Sequence, residues 1–121
     1  MNMLAPFRRA IRGASRWAKK QWEAWAPARR VRVISGDTLP SDLPRRDLVL
    51  ARDGDENWCV GMRCPCGCGM NIEILLIPEA KPRWDIAVDK RQRPTLTPSV
   101  WVQRGCRSHF WVRDGRVVWC K

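Results

Sequence analysis

Six cysteines and one histidine stand in this 121-residue chain, and most of them fall into two short words. Cys64-Pro65-Cys66-Gly67-Cys68-Gly69 places three thiols within five residues, and Cys106-Arg107-Ser108-His109 follows about forty residues later. Together they offer Cys64, Cys66, Cys68, Cys106 and His109 as five soft ligands for one tetrahedral zinc. Such sites take four N/S ligands, commonly as two close pairs around a longer insert. Pro65, Gly67 and Gly69 permit the tight backbone of a metal knuckle. A zinc closed by four of the five ligands would be a structural staple. Three ligands and a water would instead make a catalytic centre.

Hydroxyls and a carboxylate lie close to these words. Ser99 precedes an apolar stretch seven residues before Cys106, Ser108 stands beside His109, and Glu73 is the acid nearest the cysteines. A nucleophilic serine needs a base, and His109 is the one histidine. Serine–histidine catalysis and histidine–zinc ligation therefore compete for the same ring. Either zinc-bound water works with Ser99, or His109 leaves the metal to cysteines. Ser99 could also be a strand-start hydroxyl bonded to backbone. The H-E-x-x-H zincin word, the zinc deaminase word, the P-loop and the G-x-S-x-G elbow are all missing.

The elements that must hold these residues read as strands. Short apolar or alternating stretches occur at Val31–Ile34, Asp47–Ala51, Trp58–Met62, Asn71–Ile77, Trp84–Asp89, Val100–Val102, Phe110–Val112 and Val117–Trp119. Turn signals separate them, and Asp114-Gly115 marks a hairpin. The expected fold is all-β, a small antiparallel sandwich or open barrel with the metal closing a long loop. Cys59 and Cys120 lie outside the cluster and read as small core residues. Trp84, Trp101, Trp111 and Trp119 alternate with arginines; a stacking platform for single-stranded nucleic acid is one reading, and core packing is the other.

The net charge of +11 belongs mainly to one end. Residues 1–32 carry nine Lys/Arg against Glu23 alone. Apolar residues recur at helical steps from Phe7 to Trp25 among these cations, so a basic amphipathic helix is expected over 5–26, ended by Pro27. Residues 1–29 form an extension and 30–121 a zinc-binding β domain. The basic stretch 8–20 would suit nucleic acid or an anionic membrane; alternatively the extension packs on the body through its tryptophans, or translation starts downstream of Met1. With neither a signal peptide nor a run of roughly 18 apolar residues, thiols on metal in a reducing cytoplasm are expected rather than disulfides.

Several separated words resemble one bacterial family. Cys64–Gly69, Pro82-Arg83-Trp84, Thr95–Trp101 and Gly105–Val112 with Gly115-Arg116-Val117 are similar to the domain of unknown function 6527 family over residues 31–120. The resemblance implies a small zinc-binding protein, linked in some members to bacterial ubiquitin-like conjugation genes and regarded there as a peptidase. It would trim or remove the ubiquitin-like protein. It implies a metal group drawn from the five ligands above, with Ser99 as the recurring serine and Ser108 second. The alternative is a zinc-stapled module that binds a protein partner or nucleic acid without turnover.

Overall fold

The computed structural model describes residues 17, 18, 21–23 and 25–120. The rest of the expected basic helix, and with it most of the 8–20 stretch, lies outside the described residues. Those described between 17 and 25 are helical, and Ala26 N–H closes the last turn on the Trp22 carbonyl at 2.8 Å. No helix among the described residues is long and apolar enough to cross a membrane.

Among the described residues eight strands follow: β1 (Val31–Ser35), β2 (Leu48–Asp53), β3 (Glu56–Arg63), β4 (Asn71–Leu75), β5 (Asp85–Val88), β6 (Pro94–Trp101), β7 (His109–Arg113) and β8 (Arg116–Trp119). They form two four-stranded sheets, ordered β1-β2-β3-β4 and β5-β6-β7-β8. Alternate residues of each sheet point inward, as a half-buried strand requires. Leu48, Leu50, Val60, Met62 and Ile74 from the first sheet meet Leu96, Val100, Phe110, Val112 and Val117 from the second in one core. Phe110 is fully buried at its centre, edge-on to Trp119. The fold is therefore the expected all-β architecture.

Two details differ from the sequence reading. β1 runs parallel to β2, with Val31 opposite Leu48, because the chain between them travels back over the outer face of the sheet. Leu39 and Leu43 of that crossing lie over Gly61, which has room for no side chain there. Second, β6 begins at Pro94, six residues before the apolar stretch that suggested it. Asp114 and Gly115, at φ 49° and 76°, make the expected β7–β8 turn, as a two-residue primed hairpin requires.

Glu23, the lone acid of the basic end, is buried and accepts hydrogen bonds from Arg29 Nε at 2.9 Å and Nη2 at 2.8 Å. Arg46, ahead of β2, reaches the same carboxylate at 3.1 Å. Arg29 N–H in turn bonds the Gly115 carbonyl at 2.7 Å. The segment from Trp22 to Arg29 is thus fastened to the body by charge and backbone.

Candidate active site and thiol cluster

The loop between β3 and β4 carries the first cysteine word. Cys64 N–H bonds the Met70 carbonyl at 2.8 Å, and Gly67 and Gly69 take φ near +87° and +85°, which lets the three thiols converge. Cys106 arrives from the loop between β6 and β7, which Val102 N–H closes on the Ser108 carbonyl at 2.8 Å. The sulfurs of Cys64, Cys66, Cys68 and Cys106 all lie within 4.8 Å of one another. Cys64 Sγ is 3.4 Å from Cys66 Sγ and 3.5 Å from Cys106 Sγ. A tetrahedral zinc with Zn–S bonds of about 2.3 Å sets its sulfurs about 3.8 Å apart. The four thiols are thus close enough together to hold one soft metal ion.

Ser108 belongs to this cluster. Its hydroxyl donates to Cys106 Sγ at 3.2 Å and accepts from Cys64 Sγ at 3.6 Å. Burial opposes ionisation of Cys106, but the Ser108 hydroxyl and backbone N–H outweigh it and hold this thiol down at about 6. Burial pushes the Cys64 thiol upward.

Ser99 and His109 form a separate pair. Between Leu96 and Val100 the β6–β7 register slips: Leu96 faces Val112, yet Val100 faces Phe110. Two extra residues are thereby accommodated in β6 around Thr97-Pro98-Ser99, a bulge that re-aims side chains. Ser99 Oγ lies 2.8 Å from His109 Nε2. Trp101, directly opposite His109 in the ladder, stacks on the imidazole with ring centroids 5.2 Å apart and planes 17° from parallel. Trp84 Nε1 donates to the Ser99 carbonyl at 3.3 Å. Hydroxyl, imidazole and backbone are each held from a different strand or loop.

A family model described as "Bacterial ubiquitination-like system serine protease (BubE)" matches residues 35–120. The chain belongs to the BubE family. No curated protein and no solved structure matches the sequence. The family description agrees with the expected tie to ubiquitin-like conjugation and names a serine protease; it is not the domain of unknown function 6527 name suggested by the motifs.

In this BubE-family chain the expected site residues separate into two groups. Cys64, Cys66, Cys68 and Cys106 converge with Ser108, whereas His109, grouped with the ligands on spacing, has its Nε2 on Ser99. Glu73 lies on β4, exposed, and makes no hydrogen bond to Ser99 or His109 among the described residues. Cys59 is buried and Cys120 half-buried, both apart from the cluster. The four tryptophans are dispersed: Trp84 and Trp119 pack on the core, Trp101 covers His109, and Arg113 sits 4.5 Å over Trp111. The role of Trp101 had a sequence signal in its place two residues after Ser99, on the same side of a strand, but only the ladder register reveals its stack.

Proposed function

We propose that the chain is a serine peptidase acting on a bacterial ubiquitin-like protein or its conjugates, with Ser99 as nucleophile and His109 as general base. The 2.8 Å Oγ–Nε2 contact carries this reading, within a family described as serine proteases. As Ser99 Oγ bonds to the scissile carbonyl carbon, its proton passes to His109 Nε2. Collapse of the tetrahedral species breaks the C–N bond, and the same proton goes to the departing amine. Water then attacks the acyl-serine, gives a proton to His109, and releases the acid while Ser99 Oγ regains its hydrogen. For this step Nε2 must be the ring nitrogen that accepts the Ser99 proton. The stacked Trp101 ring keeps the imidazole in the plane of attack.

Cys64, Cys66, Cys68 and Cys106 would hold zinc as a closed structural site, whose chemistry is to bind four thiolates and staple the two loops. Cys106 stands three residues before His109, so the staple fixes the approach of β7 and hence the base. Ser108 supports two of the sulfurs from outside the coordination shell, in the manner of an outer hydrogen-bond partner. Six unpaired thiols suit a reducing compartment, the bacterial cytoplasm. Cleavage of the ubiquitin-like precursor by the full chain tests the reading. Ser99→Ala should reduce turnover at least about a thousandfold with an unchanged melting temperature. Turnover surviving that substitution would remove Ser99 from the chemistry.

A further inference from the structure

Among the described residues β4 is the outer strand of its sheet and pairs only with β3. Two bonds fix which of its backbone groups that pairing uses. Leu76 N–H bonds the Trp58 carbonyl at 2.9 Å, and Cys64 N–H bonds the Met70 carbonyl at 2.8 Å. In an antiparallel ladder, hydrogen-bonded pairs alternate. Residues 70, 72, 74 and 76 therefore direct their N–H and C=O toward β3, and Asn71, Glu73 and Leu75 direct theirs outward. The Leu75 carbonyl agrees, because it accepts from Trp84 N–H at 2.9 Å. Nothing among the described residues takes up the outward groups of Asn71 and Glu73. The strand lacks the proline, lysine or bulge with which exposed edges are commonly blunted.

A cleft of about 290 Å³ runs along this edge. One wall is residues 70–74, the other is residues 100–104, with Trp84 between them. Successive strand residues point to opposite faces. A cleft touched by five in a row therefore lies beside the backbone rather than over one face. Two of its lining residues, Trp84 and Trp101, also touch the Ser99–His109 pair. Trp84 joins the two, with its backbone N–H on Leu75 and its indole N–H on the Ser99 carbonyl. Trp101, which lines the cleft, is the ring stacked on His109.

We propose that β4 receives the substrate as an added strand: an extended segment of the protein being cleaved pairs with Asn71–Glu73 and is led past Trp84 to Ser99. This rests on the reading of Ser99 and His109 as the catalytic pair. Main-chain pairing supplies the affinity in such strand addition, and the pockets on either side supply the choice of sequence. Glu73 and Arg104, on opposite walls, are then the charged groups that select side chains of the docked segment.

Backbone pairing alternates along the ligand as it does along the edge, and this gives the test. The probes are synthetic ten-residue peptides spanning the cleavage site of the ubiquitin-like protein, fluorescently labelled and N-methylated at one backbone nitrogen each. Binding to the full-length Ser99→Ala variant is read by anisotropy. N-methylation should weaken binding about fivefold or more at every second residue over a short stretch, with little effect between. In the same background Glu73→Pro should weaken the unmodified peptide about tenfold, because it removes an outward N–H and leaves the β3 ladder intact. Even tolerance of methylation, unchanged binding to Glu73→Pro, or no binding of any peptide would overturn the edge site. Cleavage of the unmodified peptide by the wild-type chain is measured separately. Alternating binding without cleavage would sink the Ser99 assignment and leave the edge site standing; cleavage with non-alternating binding would do the reverse.

Discussion

Replacing Cys106 by alanine removes the sulfur through which a shared metal would join the β6–β7 loop to the cysteine loop that follows β3. Cys64 and Cys106 are 42 residues apart in sequence, so a metal shared between them closes a loop of that size. A cross-link over about 43 residues removes roughly 13 cal/mol/K from the unfolded chain by the loop-closure relation, about 4 kcal/mol at 25 °C. For a body of this length each kcal/mol moves the midpoint by about 4–8 °C, so Tm should fall by ~15 °C or more. The assay is thermal and urea unfolding of wild-type and Cys106→Ala, each with and without a zinc chelator. Chelation should lower wild-type stability by at least the loop-closure amount and the variant's by much less, because the variant has no long loop left to release. Wild-type protein that melts within 2 °C of Cys106→Ala, or that ignores the chelator, would refute the staple.

Glu23 should govern the acid limb of stability. Burial raises its pKa, but the guanidiniums of Arg29 and Arg46 outweigh burial and hold its carboxyl below the ordinary 4.5. A depressed folded value means that the contribution is complete above about pH 4.5 and is lost as pH falls through the lowered folded value. Urea midpoints measured from pH 7 to pH 3 should therefore drop more steeply for wild-type than for Glu23→Gln. Glu23→Ala, which strands buried Arg29, should cost about 3–5 kcal/mol at pH 7. Gly115→Ala should cost at least about 2 kcal/mol in the same assay, since its φ is +76° and the new Cβ would sit 2.4 Å from the Arg29 carbonyl oxygen.

The thiol cluster is the most legible part of the site because its spacing is local. Three thiols among glycines can turn onto one point whatever the rest of the chain does, and Cys106 needed only a loop that brought it there. His109 was ambiguous for the same reason: Cys-x-x-His satisfies a zinc ligand pair as readily as it places a base after a loop. What separates the two roles is a long-range register. Two extra residues in β6 bring Ser99 to the imidazole, and Pro98 interrupts the alternation that would have announced the strand. Strand periodicity gave the two faces of the core well, as in Val60/Met62 and Phe110/Val112, but alternation carries no information on strand direction. The parallel β1–β2 pair therefore had no local signal. Glu23 read only as a small correction to a basic segment, because its partners Arg29 and Arg46 meet it through the fold.

The Ser99–His109 pair is tested most directly by labelling the full chain with a fluorophosphonate and locating the adduct by peptide mass spectrometry. The adduct is predicted on Ser99 Oγ, and His109→Asn should abolish it while leaving bound metal and melting temperature in place. An adduct on Ser108, or labelling of Ser99 that persists without the imidazole, would contradict the account.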